Sequence, residues 1–163
     1  MTQDIIVCKY GGSSITCEAD LEQIKRITSD DSRRKIIVVS APGKRFMGDE
    51  KVTDMLIRLA ETKDRDLFNK IIDRYQQLAP KRDMQDMKGL LEQILSLKLE
   101  SNEYVDAVKS FGEEAAARIL SEVNGWEYVD ASELFVFAPP FGAARILSES
   151  EGKIKRRFSN LDH

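Results

Sequence analysis

The residues whose types and spacing could carry chemistry lie near the N-terminus, in the segment Lys9-Tyr10-Gly11-Gly12-Ser13-Ser14. An apolar run precedes this segment and a helical pattern follows it, so the glycines stand at the carboxyl end of a predicted strand. Glycines there let backbone N–H groups approach a ligand closely, and the next helix N-terminus favours anions such as phosphates. Lys9 could neutralise charge that grows on a transferring phosphoryl group. By itself, the segment fits an ordinary strand-to-helix turn equally well.

Other residue types narrow the possible chemistry. The single histidine, His163, is the last residue, so a histidine general base within the domain is not expected. Cys8 and Cys17 are too few for a disulfide framework, and Cys8 lies in an apolar run that indicates a small buried side chain. Catalysis would therefore depend on Lys, Asp, Glu, hydroxyl groups and backbone amides.

The composition excludes several classes of partner. Hydrophobic residues make up 42% and charged residues 33% of the 163 residues, which is typical of a globular domain. The formal net charge of -3 provides no general positive field for nucleic acid or an anionic membrane. The sequence has neither an apolar run of about 20 residues nor a basic and then apolar N-terminus. We therefore expect a cytoplasmic protein.

The elements that must position the segment 9–14 begin with a strand, a helix and a second strand. The apolar runs 5–8 and 36–39 lack polar alternation, which predicts strands buried on both faces. Between them, Leu21, Ile24 and Ile27 share one face of a predicted helix. This βαβ pattern indicates a parallel sheet with a right-handed crossover and an α/β fold.

The rest of the chain is predicted to be mainly helical, with a helical segment over about 52–123. Apolar periodicity and breaks predict helices at 52–63, 67–78, 84–100, 101–125 and 149–158. Strands are expected at 126–129 and 134–137, with turn residues Pro139, Pro140 and Gly142 beyond them.

Several segments together resemble the aspartate kinases of the amino acid kinase family. The segment 9–14 is similar to the Lys-Phe-Gly-Gly-Ser/Thr-Ser segment of that family, and residues 38–45 with 52–56 resemble its second strand, loop and helix start. Gly112-Glu113, taken to open an Ala-rich helix, matches a Gly-Glu pair on the substrate side, and 128–131 resembles the strand that follows. The segments occur in the family's order over essentially the whole chain.

This resemblance implies a fold and an activity. The expected fold is the parallel-sheet, three-layer sandwich of amino acid kinases, with residues 1–163 as a single domain forming its N-terminal half. The implied enzyme is an aspartate kinase, which transfers the γ-phosphoryl group of ATP, with Mg²⁺, to the side-chain carboxylate of L-aspartate. The product, 4-phospho-L-aspartate, begins the route to lysine, threonine and methionine.

The resemblance also implies individual roles. Lys9 would be catalytic, and the ATP phosphates would be bound by Lys9, Tyr10, Gly11, Gly12 and Ser13. Ser40, Thr53 and Glu113 would bind aspartate, with Thr53 near helix N–H groups that can hold a carboxylate and Glu113 opposite the α-ammonium. Without the resemblance, Thr53 would be interpreted as a helix N-cap and Glu113 as a solvated glutamate. No carboxylate cluster predicts a metal site.

Two departures from the family pattern limit what is expected of this chain alone. Glu114-Ala115-Ala116-Ala117 follows where the family shows a Leu-Ser-Ala type of sequence. Nothing resembles the later Gly-Arg-Gly-Gly-Ser-Asp segment, by analogy the source of an aspartate-binding arginine and most adenine and ribose contacts. We therefore expect a truncated fragment without regulatory domains, weakly active or inactive alone.

Two alternatives remain open at the level of sequence. The chain could belong to another amino acid kinase, acting on glutamate, acetylglutamate or a nucleotide. It could instead be a non-catalytic dimerisation or binding module derived from such a kinase. In either case a homo-oligomer, most simply a dimer, is expected, because the helices between 52 and 100 carry more apolar residues than half a sheet could cover.

Overall fold

The N-terminal part of the chain is a βαβ unit. The structure is a computed structural model that describes residues 4–139, 144–159 and 161. Strands β1 (Ile6–Tyr10) and β2 (Arg34–Val39) pair in parallel, and helix α1 (Glu18–Ser29) connects them. Their register places Tyr10 opposite Val39, so both strands end at the same edge of the sheet. The predicted parallel α/β arrangement is confirmed.

Four helices form the middle of the chain, as the apolar periodicity predicted. They are α2 (Val52–Thr62), α3 (Arg65–Gln76), α4 (Gln85–Leu95) and α5 (Ser101–Asn124). Local chemistry sets several of their ends. Lys63 leaves α2 in the left-handed conformation with φ 54°, Asp64 caps α3 by accepting from the N–H groups of Asp66 and Leu67, and Gly125 ends α5 with φ 68°. Helix α4 ends five residues before the predicted 100.

The core lies between these helices. Leu56, Leu59, Ile71, Leu91 and Phe111 are all inaccessible to solvent. The Tyr75 ring packs edge-on against the Phe111 ring, with 5.6 Å between centroids. Most of the apolar residues of the helical segment are thus covered within the chain itself. The expected excess of apolar surface, on which the prediction of self-association rested, is not found on the described helices.

The two-stranded sheet is covered on one face. Tyr10, Ile37 and Val39 pack against the helical core, whereas Val7 and Val38 on the other face are 58% and 44% exposed. The prediction that both strands are buried on both faces is therefore wrong for the described chain. Burial of the second face would need another layer of elements, and no described element covers these two valines.

The C-terminal part differs most from the prediction. Residues 126–129 have no regular secondary structure and form no ladder with any described strand, so the predicted strand there is wrong. Asp130 caps a short helix, α6 (Ala131–Leu134), by accepting from the Ser132 N–H, and this helix takes up Leu134, the first residue of the second predicted strand. Strands β3 (Phe137–Ala138) and β4 (Arg145–Ile146) then pair antiparallel, and α7 (Glu149–Arg157) confirms the last predicted helix.

Some sequence features lie outside the described residues, namely the turn residues Pro140 and Gly142, and His163. Within the described ranges, every helix is too short or too polar to cross a lipid bilayer.

Candidate functional site

The glycine turn, residues 11–14, follows β1 at the edge where both strands end. Gly11 has extended backbone angles, φ -78° and ψ 169°, and a short 3-10 helix, Gly12–Ser14, follows it. The N–H groups of Ser14 and Ile15 donate back to the carbonyls of Gly11 (2.9 Å) and Gly12 (3.2 Å). Among the described residues, the N–H groups of Gly11, Gly12 and Ser13 have no acceptor. Free N–H groups at such a turn are candidate donors to an anion.

The side chain of Lys9 reaches back over this turn. Its Nζ atom lies 3.3 Å from the position that a Cβ on Gly11 would occupy. The ammonium group therefore sits beside the free N–H groups, and both favour negative charge. The φ angle of Gly11 is one that any residue can adopt, so the backbone conformation does not require glycine here. The role left for Gly11 is to provide space for the ammonium.

Gly12 packs directly on the β2–α2 loop, residues 40–51. The Gly43 N–H donates to the Gly12 carbonyl at 2.8 Å. A Cβ on Gly12 would lie 2.6 Å from the Ala41 carbonyl oxygen, and a Cβ on Gly43 would lie 2.6 Å from the Gly12 carbonyl carbon. Main chain thus touches main chain, and neither position has space for a side chain.

The first residues of the same loop connect the glycine turn to α5. The Ser40 N–H donates to the Tyr10 carbonyl at 3.2 Å, which extends the strand pairing to the edge of the turn. The next N–H group, of Ala41, donates to Oε1 of Glu113 at 3.4 Å. Ser40 and Glu113, predicted from separate motifs, are thus brought to the same edge as Lys9.

Glu113 lies in the middle of α5, not at a helix start. The prediction that Gly112-Glu113 opens a helix is wrong, because α5 continues without a break from Ser101 to Asn124. Gly112 permits the close approach of α5 to the loop, since a Cβ there would lie 2.8 Å from the Ala41 Cβ. The buried Tyr75 hydroxyl donates to the Gly112 carbonyl at 2.8 Å. Burial raises the pKa of Tyr75 well above its usual value, and the charge of Glu113 adds to this effect.

The N-terminus of α2 adjoins the other end of the Ala41-Pro42-Gly43 segment. The Val52 N–H donates to the Pro42 carbonyl at 3.3 Å. The N-cap position is Lys51, which makes no capping hydrogen bond, so the interpretation of Thr53 as an N-cap is wrong. Within the described chain the N–H groups of Thr53 and Asp54 have no acceptor. These free groups and the half-buried Thr53 side chain suit a carboxylate ligand.

The side chain of Tyr10 does not join the site. It lies on the covered face of the sheet, whereas Lys9 lies on the other, because successive residues of a strand alternate. The Tyr10 hydroxyl is buried and has no hydrogen-bond partner among the described residues. Only the backbone of Tyr10 can contribute to the turn. Ser13 is exposed at the turn itself.

Three residues outside the predicted set also hold this site together: Gly43, Asp49 and Arg74. Gly43 contacts Gly12, and the Arg74 guanidinium donates to the Gly43 carbonyl and the Asp49 carboxylate. The sequence offered one unused signal for Arg74, because it lies on the apolar face of α3 between Ile71 and Leu78. A charge on such a face usually has a specific buried partner. No sequence pattern indicated which partner.

The described residues provide no group of three or more His, Cys, Asp or Glu side chains arranged to hold a metal ion. The site as described consists of main-chain N–H groups, one ammonium, one carboxylate and the hydroxyls of Ser13, Ser40 and Thr53. Such a set suits a phosphorylated ligand beside a small molecule that carries both charges.

Comparisons with known proteins show similarity over nearly the whole chain. The sequence profile of the amino acid kinase family matches residues 4–159. Aspartokinase 3 of Bacillus subtilis (strain 168) is 35% identical over an alignment 170 residues long. This alignment covers 92% of this chain and 37% of that protein. The crystal structure of Clostridium acetobutylicum aspartate kinase matches with a TM-score of 0.83 at 28% identity, covering 95% of this chain and 36% of that chain.

A more distant structure shares the fold. Aspartokinase III of E. coli in complex with lysine and aspartate matches with a TM-score of 0.78 at 18% identity, covering 98% of this chain and 39% of that chain. In each comparison the matched protein is much longer than this chain, which spans 37% of the curated relative.

Proposed function

The chain belongs to the amino acid kinase family, as its motifs predicted, and on that premise we propose that it supplies the phosphate-binding side of an aspartate kinase site. Residues 1–163 would then be one domain, the N-terminal part of the catalytic domain. One observation carries the proposal: the Ala41-Pro42-Gly43 segment contacts both the glycine turn, through Gly43, and Glu113, through the Ala41 N–H. The proposed phosphate site and the proposed site for an ammonium group would therefore adjoin.

On the phosphate side, the free N–H groups of the glycine turn would hold oxygens of the ATP β- and γ-phosphates. The Lys9 ammonium, beside Gly11, would lie against the group being transferred. Its positive charge would stabilise the negative charge that develops on the phosphoryl oxygens as the bond to the leaving group breaks. Lys9 is therefore the proposed catalytic residue.

On the substrate side, Glu113 would pair with the α-ammonium of aspartate. The Thr53 hydroxyl and the free N–H groups at the start of α2 would hold a carboxylate of the same molecule. Ser40, between the two sides, would add a hydroxyl. Fixing both charged ends of the substrate leaves its other carboxylate oriented toward the glycine turn.

The reaction then needs no general base. An oxygen of the ionised aspartate side chain forms a bond to the γ-phosphorus, and the bond from that phosphorus to the β–γ bridging oxygen breaks. The bridging electron pair leaves with ADP, and the product is the mixed anhydride 4-phospho-L-aspartate. Since a carboxylate has no proton to lose at neutral pH, the expected lack of a histidine base in this part of the site is no obstacle.

Magnesium would enter with the nucleotide. When bound, it would neutralise negative charge on the phosphate groups. Because the described residues offer no cluster of carboxylates for it, we propose that its ligands on this side are phosphate oxygens and water.

The nucleotide part of the proposal is tested by calorimetric titration of the chain with Mg-ATP. We expect binding that falls at least about tenfold in Lys9→Ala, because a charge-assisted contact to phosphate contributes about 1.5–3 kcal/mol. Lys25→Ala, which removes an exposed lysine from α1, is the matched control and should leave the affinity unchanged. Equal affinities of the two variants would contradict the assigned role of Lys9.

The substrate part is tested on the longest reading frame that contains this sequence. Trapping of the acyl phosphate with hydroxylamine should depend on both ATP and aspartate. A panel with glutamate, acetylglutamate and nucleotides in place of aspartate separates this activity from those of other amino acid kinases. Turnover with one of these and none with aspartate would overturn the substrate assignment, and no turnover with any would favour a binding module.

A homodimer remains part of the proposal, although the described helices bury most of their own apolar residues. Val7 and Val38 remain exposed on the β1–β2 sheet, and Phe137 and Ile146 remain exposed on the β3–β4 pair. Light scattering across a concentration series measures the association directly. A monomer at all concentrations would contradict a dimer of this chain.

A further inference from the structure

Arg74 is a buried charge whose hydrogen bonds all go to one loop. Arg74 lies on α3 and is 4% exposed. The guanidinium donates to Oδ2 of Asp49 at 2.5 Å, to the Glu50 carbonyl at 3.4 Å and to the Gly43 carbonyl. Each acceptor belongs to the β2–α2 loop. An arginine spans these separate acceptors because its donors form a rigid, planar fork.

Core stability alone does not account for this arginine. Taking a guanidinium and a carboxylate out of water costs several kcal/mol per ion, and well-packed apolar residues often replace such a pair with no loss of stability. The contribution specific to Arg74 is directional: it fixes the orientation of the Gly43 peptide and the position of Asp49. An apolar side chain in the same space would do neither.

The Gly43 residue held by Arg74 also faces the glycine turn. Its carbonyl accepts from Arg74, and its N–H donates to the Gly12 carbonyl at 2.8 Å. A Cβ on Gly43 would lie 2.9 Å from the Ser13 nitrogen, so the two main chains are in direct contact. A shift of Gly43 must therefore move Gly12 and Ser13, whose free N–H groups form the proposed phosphate site.

Asp49 strengthens the same connection from the far end of the loop. Its carboxylate also accepts from the Arg45 Nε at 2.8 Å and from the Arg45 backbone N–H at 3.0 Å. Arg45, Asp49 and Arg74 thus close the loop on itself and attach it to α3. The connection runs from α3 to the loop and from the loop to the turn.

We propose that Arg74 is a positioning residue: through the Gly43 carbonyl and Asp49 it holds the β2–α2 loop against the glycine turn and so fixes the N–H groups that bind phosphate. Arg74 itself contacts no ligand in this arrangement. The identity of the bound group rests on the proposed function, whereas the effect of Arg74 on the turn does not.

Hydrogen exchange of individual amides tests the effect on the turn without any ligand. In Arg74→Met, the Gly43 and Ser14 amides should exchange about tenfold faster or more, because a bond to a charged group is lost. Amides in the buried centre of α5, such as Ala116, should keep their rates. Arg74→Lys keeps the positive charge but lacks the planar set of donors, so it should recover only part of the protection of these amides from exchange.

The matched control is Arg65→Met, which removes an arginine from the same helix. Arg65 pairs with Glu92 at 2.9 Å, but its side chain is 66% exposed, so its removal should leave the Gly43 amide unchanged. If Arg74→Met does not fold, Asp49→Asn removes one anchor while keeping the side-chain shape, and the same amides are followed. Unchanged exchange at Gly43 in a folded variant would overturn the proposal.

A second measurement connects the turn to ligand binding. Titration with Mg-ATP should show weaker binding in Arg74→Met by about tenfold, partial recovery in Arg74→Lys and wild-type affinity in Arg65→Met. Faster exchange with unchanged ATP affinity would overturn the link to phosphate binding. If the wild-type chain binds no ATP, the proposed function fails, and the exchange rates still decide the role of Arg74.

Discussion

At the residue scale, the two glycines of the turn serve different purposes. Gly11 has an ordinary extended backbone and leaves space for the Lys9 ammonium. Gly12 leaves space for the main chain of the β2–α2 loop, with a virtual Cβ only 2.6 Å from the Ala41 carbonyl oxygen. A flexible lysine can move aside for a methyl group, but a backbone carbonyl fixed by its neighbours cannot.

This difference predicts opposite phenotypes for two alanine substitutions. Gly11→Ala should unfold at nearly the wild-type denaturant concentration and bind Mg-ATP more weakly, because the methyl group displaces Lys9. Gly12→Ala should lose about 1–3 kcal/mol of unfolding free energy. Urea unfolding and ATP titration of both variants measure the two effects. Equal losses of stability in the two variants would show that the contact at Gly12 is not specific.

At the element scale, hydrogen bonds hold α3 near both of its ends. Its N-terminus is capped by Asp64, and near its C-terminus the adjacent residues Arg74 and Tyr75 reach different parts of the site. Arg74 bonds to the β2–α2 loop and Tyr75 bonds to the Gly112 carbonyl of α5. The placement of this one helix therefore affects both the phosphate side and the substrate side.

The cap of α3 gives a direct prediction for stability. Asp64→Ala should lower the free energy of unfolding by about 1 kcal/mol, because the Asp66 and Leu67 N–H groups lose their acceptor. Asp66→Ala, two residues away in the first turn of α3 and exposed, removes only a charge from the helix N-terminus and should cost a few tenths of that. Urea unfolding of the pair tests the cap, and equal effects would contradict it.

The β2–α2 loop gives a prediction for acid. Hydrogen bonds from Arg45, with a further bond from Arg74, hold the pKa of Asp49 well below its usual value near 3.8. A carboxyl whose pKa is lower in the folded state adds stability above its unfolded pKa and loses it as the pH falls toward the folded pKa. Stability should therefore decline below about pH 4, and less steeply in Asp49→Asn. Unfolding titrations from pH 7 to pH 3 measure the slopes, and identical slopes would contradict this account.

At the scale of the whole molecule, burial is uneven between the helical core and the sheet. Leu56 is inaccessible to solvent and lies under Gly112, whereas Val38 is 44% exposed on the uncovered face. Leu56→Ala should cost about 2–5 kcal/mol of unfolding free energy. Val38→Thr should change it by less than about 0.5 kcal/mol. Calorimetric melting of both variants measures these changes in stability. Similar losses of stability in the two variants would contradict the conclusion that this face is exposed in solution.

The difference in burial between the helical core and the sheet also explains how much of the fold could be predicted from the sequence. The helices from Val52 to Asn124 were predictable because their apolar periodicity matches a core formed within the chain. The segment 126–129 was not, since β-branched and aromatic residues favour a strand but only a neighbouring ladder makes one. The strand predicted at 134–137 is only partly right, because the cap at Asp130 makes Leu134 helical and the strand begins at Phe137.

For the candidate site, the sequence indicated which residues could take part, and the structure showed which of them lie next to each other. Lys9 and Ser40 could be placed at one edge from the sequence because the ends of parallel strands meet there. Glu113 came from the family resemblance, and its position on α5 beside that edge is known only from the structure. Tyr10 could be separated from Lys9 only once the covered face of the sheet was known. Arg74 and Gly43 depend on a contact between segments about thirty residues apart, and no local pattern specifies such a contact.

The contact between Gly12 and Gly43 constrains how this sequence can evolve. Most packing defects can be repaired by a second substitution, in which a neighbour shrinks to fit a larger side chain. Here both partners already lack a side chain, so no compensating substitution is available at either position. This pair of positions should therefore remain glycine, whereas the exposed Phe46 and Met47 of the same loop should tolerate substitution.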